Sequence, residues 1–463
     1  MDLTKLFKYI PEVAKPEEKK LGFNTKLKWT LIILAAFFIL ANVPLFGLSN
    51  NALERFKYLA IILGTDFGSI ISLGIGPIVM ASIILQLLTF SGIFGIDITT
   101  TEGKKFFQGI QKLFVLFFIV FESSVYVLMR GLEALPGFAP IMIIQLILGG
   151  IAIFYMDEVC QKWGFGSGVS LFIAAGVSWR LITSAFQFVN QQGKNCLLDF
   201  GNTACAGKVL VMIQAISNKY PIELLSALAA IIATIVIFLI VAWAQSLKVE
   251  IPLSFGRIRG YGIKWPLSFF YSSVIPVILT AALMATLQLF GGLLQNWIGH
   301  ATILGGFSDG VAVSGFAFWI GNANLLDLII KGGFSSKYLF QGLTHILFFT
   351  ACSTLFAILW VKTAGMDSKT QAHKIASSGL QIAGFRQDER VLESILDRYI
   401  MPLTVMGGAA IGLLASLTDL LGALVSGTAI LLVIMIMFQF YQSIGQQHQV
   451  DMVPAMKKFM GKE

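Results

Sequence analysis

The sequence predicts an all-α polytopic membrane protein with ten spanning helices, and three observations carry that prediction. Of 463 residues, 56% are AVILMFWYC and only 13% are DEKR. Soluble domains run nearer ~45–50% apolar and ~25% charged. Mean hydropathy is +0.80. Apolar runs of the roughly 20 residues that a bilayer-crossing helix needs recur along the whole chain. The basic residues are also unevenly shared among the connecting loops, as the positive-inside rule requires. These features exclude a disordered chain, a secreted disulfide scaffold and an ordinary cytosolic enzyme.

The N-terminal stretch MDLTKLFKYIPEVAKPEEKK lacks the continuous apolar core and A-x-A-like site of a cleavable signal. Leu3, Leu6, Phe7 and Ile10 fall at helical spacing, so it reads as a short interfacial helix ending near Pro11. Spans follow at about 28–47, 67–92, 110–130, 138–157 and 167–189. After a polar loop come about 220–246, 267–294, 338–361, 399–418 and 420–442. Residues 51–64 carry Glu54, Arg55 and Lys57 and form an amphipathic half-helix too short to span. It leads into a run broken by Gly74, Gly76 and Pro77, a break tolerated at membrane depth only against protein or a water-filled cavity. Residues 303–336, with Asp309, Asn322, Asn324, Asp327 and Lys331, read as an external excursion. The division is therefore 1–25 (cytoplasmic interfacial helix), 26–195 (five spans), 196–219 (external loop), 220–442 (five spans) and 443–463 (cytoplasmic tail).

With the N-terminus inside, 24 of the 33 Lys and Arg residues fall on the cytoplasmic side and eight outside, Arg180 lying within a span. Both termini are expected in the cytoplasm. The largest inside loops, about 247–266 and 362–398, are basic at their tips. The bland reading is a topology signal; the sharper one is a docking surface for a large polyanion. Of four cysteines, Cys160, Cys196, Cys205 and Cys352, none forms a CxxC pair, so a zinc site is not expected. If the loop shared by Cys196 and Cys205 is external, a disulfide between them is chemically allowed.

Enzyme signatures are missing. None of the four histidines sits in H-E-x-x-H, no Gly-Lys pair completes a phosphate-binding loop, and GFGSG at 164–168 has neither dinucleotide spacing nor a nucleophile-elbow serine. No cofactor is expected. Glu122, mid-span in FFIVFESSVY, reads either as part of a polar gate or as a neutral packing residue. Arg180 reads as a snorkelling side chain and Gln86 as helix-packing glue. The breaks LGIGPIV (73–79) and FGSGVSLFI (165–173) both start helices, and the side chains beyond them are aliphatic. A transporter would converge charged and polar ligands at the midplane. An Ile and Val constriction instead binds no ion and seals by excluding water.

These stretches resemble the SecY family. SIISLGIGPIVMASIILQLL (69–88) is similar to its second-span signature and FYMDEVCQKWGFGSGVSLFIAAG (154–176) to its fourth-to-fifth-span signature. The likeness continues through VEIPLSFGRIRG (249–260), IPVILTAAL (275–283), GFRQDERVLESILDRYIMPLTVM (384–406) and GALVSGTAILL (422–432). The wording is nearer the archaeal and eukaryotic branch, since YSSVIPVIL replaces the bacterial N-x-A-G-V-I-P run.

The resemblance implies two pseudo-symmetric halves, spans 1–5 and 6–10, closed as a clamshell around a passive pore for unfolded polypeptide. It implies no catalysis by this chain, with energy supplied from outside by elongation at the ribosome. Carried onto this sequence, the pore ring is Ile75, Val79, Val169, Ile173, Ile278 and Leu432. The plug is about 52–64, with Leu53, Phe56, Leu59 and Ile62. The lateral gate, between spans 2–3 and 7–8, holds Gln86, Glu122, Ser273 and Val274, and releases apolar signal sequences into lipid. Val274 stands where the family often has Asn, which makes the gate more apolar. Arg257, Arg259, Arg386 and Arg390 are the expected ribosome-docking contacts. Expected partners are a SecE-like gamma subunit, a small beta subunit, and the ribosome with its nascent chain. The expected location is the plasma membrane.

Overall fold

The computed structural model describes residues 11–17, 21–51, 67–90, 100–188, 196, 205–255, 262–272, 274–308, 311–322, 324–333, 335–377, 380–382 and 388–452. The interfacial helix over 1–10, the half-helix and plug with Leu53, Phe56, Leu59 and Ile62, and Ser273, Arg257, Arg259 and Arg386 lie outside the described residues.

Helix α1 (Phe23–Ala41) ends earlier than its apolar run, which continues to 47. Pro44 cannot continue a helix, and the chain turns there to bridge Ser69. Strand β1 (Leu48–Asn51) follows. Residues 67–75 fold as turns, with Gly68 and Gly74 at φ +99° and +55°, so the second span becomes helical only at α2 (Gly76–Phe90). Helix α3 (Thr101–Leu128) starts where the Thr100 hydroxyl accepts the Gly103 N–H at 3.0 Å, with Glu102 in the first turn. Strand β2 (Leu132–Ala134) pairs antiparallel with β1. Helices α4 (Ala139–Trp163) and α5 (Gly168–Phe186) complete the first half.

Helix α6 (Lys208–Asn218) packs along α7 (Pro221–Gln245). The hairpin β3 (Lys248–Phe255) and β4 (Gly262–Ser268) precedes α8 (Ile275–Ile298). A second hairpin, β5 (Gly306–Ser308) and β6 (Val311–Ser314), and two six-residue helices, α9 (Gly315–Ile320) and α10 (Leu325–Ile330), occupy the excursion before α11 (Ser336–Thr363). Then come α12 (Ser368–Ser377), β7 (Leu380–Ile382), α13 (Glu389–Leu420) and α14 (Gly427–Met452). Among the described residues nine helices are long and apolar enough to cross a membrane, and the shorter α2 with its buried turns supplies a tenth apolar segment.

The two halves meet along two seams. Helix α2 packs on α8 and α11; α14 packs on α5 and α1. Helix α8 is buried over most of its length, whereas α7 exposes Leu225, Ile232, Leu239 and Trp243. One hydrophobic core runs through both halves. A smaller core, with Ile251, Leu267, Ile375 and Leu392, lies under a three-stranded sheet ordered β4-β3-β7. That sheet joins the two basic loops, Leu253 facing Ile382 and Phe255 facing Leu380.

Candidate functional site

The six aliphatic residues sit at the starts of four helices. Val79 and Ile278 are each the fourth residue of a helix with proline second, in α2 and α8. Ile173 and Leu432 are each the sixth residue of a helix beginning with glycine, in α5 and α14. Ile75 immediately precedes α2, and Val169 is the second residue of α5. Five of the six are buried to 5% exposure or less and Val169 is partly buried, all within one apolar cluster. Four of the six come from the first half and two from the second, and each half repeats the same two helix starts.

Of the expected gate residues, Gln86 lies on α2, Glu122 on α3 against the start of α2, and Val274 immediately before α8. Gln86, Glu122 and Val274 are buried. The Glu122 carboxylate lies against the backbone of Gly76, where a Cβ would come within 3.0 Å of Oε2. Gln86 Oε1, Glu122 Oε1 and the Ser272 hydroxyl are buried without hydrogen-bond partners among the described residues. Val274 caps α8 without a side-chain hydrogen bond. Arg390 is exposed at the second position of α13, its N–H donating to Asp388 Oδ1 at 3.0 Å. Cys196 and Cys205 form a disulfide.

Three features escape the sequence reading. A cavity of about 480 Å³ is lined by Arg180, Gln288, Asn322, Gln341, Asp419 and Ser426 among others, so Arg180 faces this space between elements. Beside it, buried His345 donates from Nδ1 to the Ile320 carbonyl at 2.8 Å and turns Nε2 toward Asp419 Oδ2 at 3.5 Å. The chain entering α1 is strapped across α3 and α4. Tyr155 and Trp163 donate to the carbonyls of Pro11 and Ala14, and Lys162 donates to Glu12 at 2.8 Å and to the Val13 carbonyl at 2.6 Å. Glu12 also lies 3.4 Å from Lys112.

Comparison with known proteins agrees with this geometry. The SecY family model matches residues 69–441. A protein translocase subunit SecY from Methanothermobacter thermautotrophicus is 40% identical, over 98% of each chain. Among solved structures, a SecY whose plug domain is described as stabilizing the closed state and maintaining a membrane seal superposes with a TM-score of 0.82 at 34% identity, covering 99% of this chain and all of that one. Sec61 in a canine ribosome-channel complex from the endoplasmic reticulum superposes at 0.79 with 34% identity, again covering 99% and 100%. An aliphatic cluster at four paired helix starts, in a ten-segment helical fold matched over nearly its full length, places the chain in the SecY family.

Proposed function

We propose that the chain is the pore-forming subunit of a protein translocase, and that Ile75, Val79, Val169, Ile173, Ile278 and Leu432 form its constriction. The observation that carries this is their placement. Six aliphatic side chains at the starts of four helices, two in each half, share one core, and Val79 with Ile278 and Ile173 with Leu432 occupy matched positions. An apolar collar offers ions no ligand and excludes water when closed, yet accepts any polypeptide sequence when parted. Midplane ligands of the kind a solute transporter needs have no counterpart in it, and the family findings give that alternative no support.

The remaining roles follow from the same reading. Residues 52–64 act as the plug, in keeping with the plug domain of the solved SecY relative. The α2–α8 seam, with Gln86, Glu122, Ser273 and Val274, acts as the lateral gate for signal sequences. The joined basic loops dock the ribosome, as the canine ribosome-channel relative suggests. Arg257, Arg259, Arg386 and Arg390 meet RNA phosphates there through the planar guanidinium fork. The exposed apolar faces of α1 and α7 meet lipid, a SecE-like subunit and a small beta subunit. The Lys and Arg asymmetry supports cytoplasmic termini, and the membrane in this reading is the plasma membrane.

The test is resting ion conductance of the reconstituted channel. Changing Ile75, Val79 and Ile278 to Gly should raise it severalfold; an unchanged leak would remove the collar assignment.

A further inference from the structure

Two of the four collar-bearing helices begin in the same way. Helix α5 starts at Gly168, and the N–H of the next residue, Val169, donates to Oδ1 of Asp157 at 3.0 Å. Helix α14 starts at Gly427, and the N–H of the next residue, Thr428, donates to Oδ1 of Asp419 at 2.7 Å. Each aspartate stands near the C-terminal end of the preceding helix, α4 or α13. Each is buried, at 6% and 2% exposure. Each second oxygen is also engaged: Asp157 Oδ2 accepts from Gln161 Nε2 at 2.8 Å, and Asp419 Oδ2 accepts from the Thr428 hydroxyl.

The glycines make this approach possible. A Cβ on Gly168 would lie 2.6 Å from the Asp157 Cα, and one on Gly427 would lie 2.1 Å from the Thr418 carbonyl carbon. No side chain fits either space. In both helices the collar residue, Ile173 or Leu432, comes five positions after that glycine, little more than one turn from the capped N–H. A carboxylate at a helix N-terminus satisfies an orphan N–H and complements the helix dipole. It also fixes where the first turn sits.

We propose that Asp157 and Asp419 are a pair of positioning residues for the translocation pore. Each ties the start of a collar helix to the helix before it, so that Ile173 and Leu432 meet across the closed neck. This rests on the collar reading above. The same polar contact is built once in each half, and the collar residue has the same spacing from it.

The test uses the full channel complex in planar bilayers, with Ile278→Gly as the control for the collar itself. Asp157→Ala and Asp419→Ala should each raise resting conductance at least fivefold. Asp157→Asn and Asp419→Asn keep an oxygen acceptor and should stay within twofold of the parent. Leak in Ile278→Gly with none in the alanine variants would overturn the positioning role and leave the collar standing. No leak in Ile278→Gly would instead count against the collar. Asparagine variants as leaky as the alanine ones would show that the backbone cap is not what matters, and would overturn the proposal too. If an alanine variant fails to assemble, amide exchange in its asparagine counterpart decides. Val169 and Thr428 should remain as protected as in the parent, and free exchange there would refute the cap.

Discussion

Substituting Gly412 by valine probes the close packing of α13 on α11. Gly408 and Gly412 stand four apart on the face of α13 that meets α11, the spacing that lets membrane helices approach closely. A Cβ on Gly412 would lie 2.8 Å from the Thr350 Cα and 2.9 Å from the Ser353 Cβ, where ordinary contact begins at 3.4 Å. The Thr350 atom is backbone and cannot rotate away, so the helices must part by about 0.6 Å or the chain must bend. A gap of that order forfeits about a quarter to a half of each dispersion contact along the pair, with each contact worth ~0.1–0.2 kcal/mol. Summed over a few tens of atom pairs, the cost is about 1–3 kcal/mol, with branched valine at the upper end. The seam would feel it as well, because α11 also packs on α2 and α8. Thermal unfolding of the purified channel, followed by tryptophan fluorescence, reads the effect. The control is Met406→Val, at a residue 57% exposed on the same helix. Gly412→Val should unfold several degrees below the parent and the control near it; coincident midpoints would refute the packing argument.

Two other outcomes follow from the basic end. Hydrogen bonding from Lys162, with Lys112 beside it, holds the Glu12 carboxyl below its ordinary value of 4.5, although partial burial opposes the shift. A lowered carboxyl stabilises the strap above the ordinary carboxylate range and ceases to do so as pH falls through its folded-state value. Limited proteolysis after residue 10 should therefore accelerate below about pH 4, and Glu12→Gln should be equally sensitive at neutral pH. A flat pH profile would contradict this. For the loops, Arg390→Glu combined with Arg386→Glu should lower ribosome affinity about tenfold, with a shallower salt dependence; unchanged co-sedimentation would remove the docking role.

The spans were legible because a bilayer leaves few alternatives to long apolar helices. Helix starts at Gly76 and Gly168 were legible too, since glycine and proline mark such breaks locally. Boundaries set by folding rather than composition were not: α1 stops short of Pro44, and residues 67–75 coil inside an apolar run. The three-stranded sheet was hidden because β7 has only three residues and pairs with a strand more than a hundred positions away. The internal repeat was hidden for another reason. Its halves share little more than a glycine or proline at each helix start, and the aspartates stand 12 and 9 residues before the N–H groups they accept. Nothing in the local sequence singles out Asp157 or Asp419; their partners come only when the next helix is placed beside them.

The distribution of polar contacts suggests which seam yields. At the α5–α14 corners both helix starts are tied by buried carboxylates whose oxygens are all engaged. At the α2–α8 corners the helix starts use proline, which needs no N–H partner there, and among the described residues no carboxylate ties them to a preceding helix. The same seam buries Gln86 Oε1, Glu122 Oε1 and the Ser272 hydroxyl without partners among the described residues. A buried unsatisfied polar atom costs about 1–3 kcal/mol, a cost that exposure to water would relieve. Parting the α2–α8 seam would hydrate those three atoms, but the start of α14 also buries the Ser426 hydroxyl without a partner among the described residues, so the corners differ in their caps rather than in unpaired polar atoms. On the proposed gate reading, the carboxylate-capped starts of α5 and α14 are the pinned side, and the proline-started α2 and α8 are the side that parts.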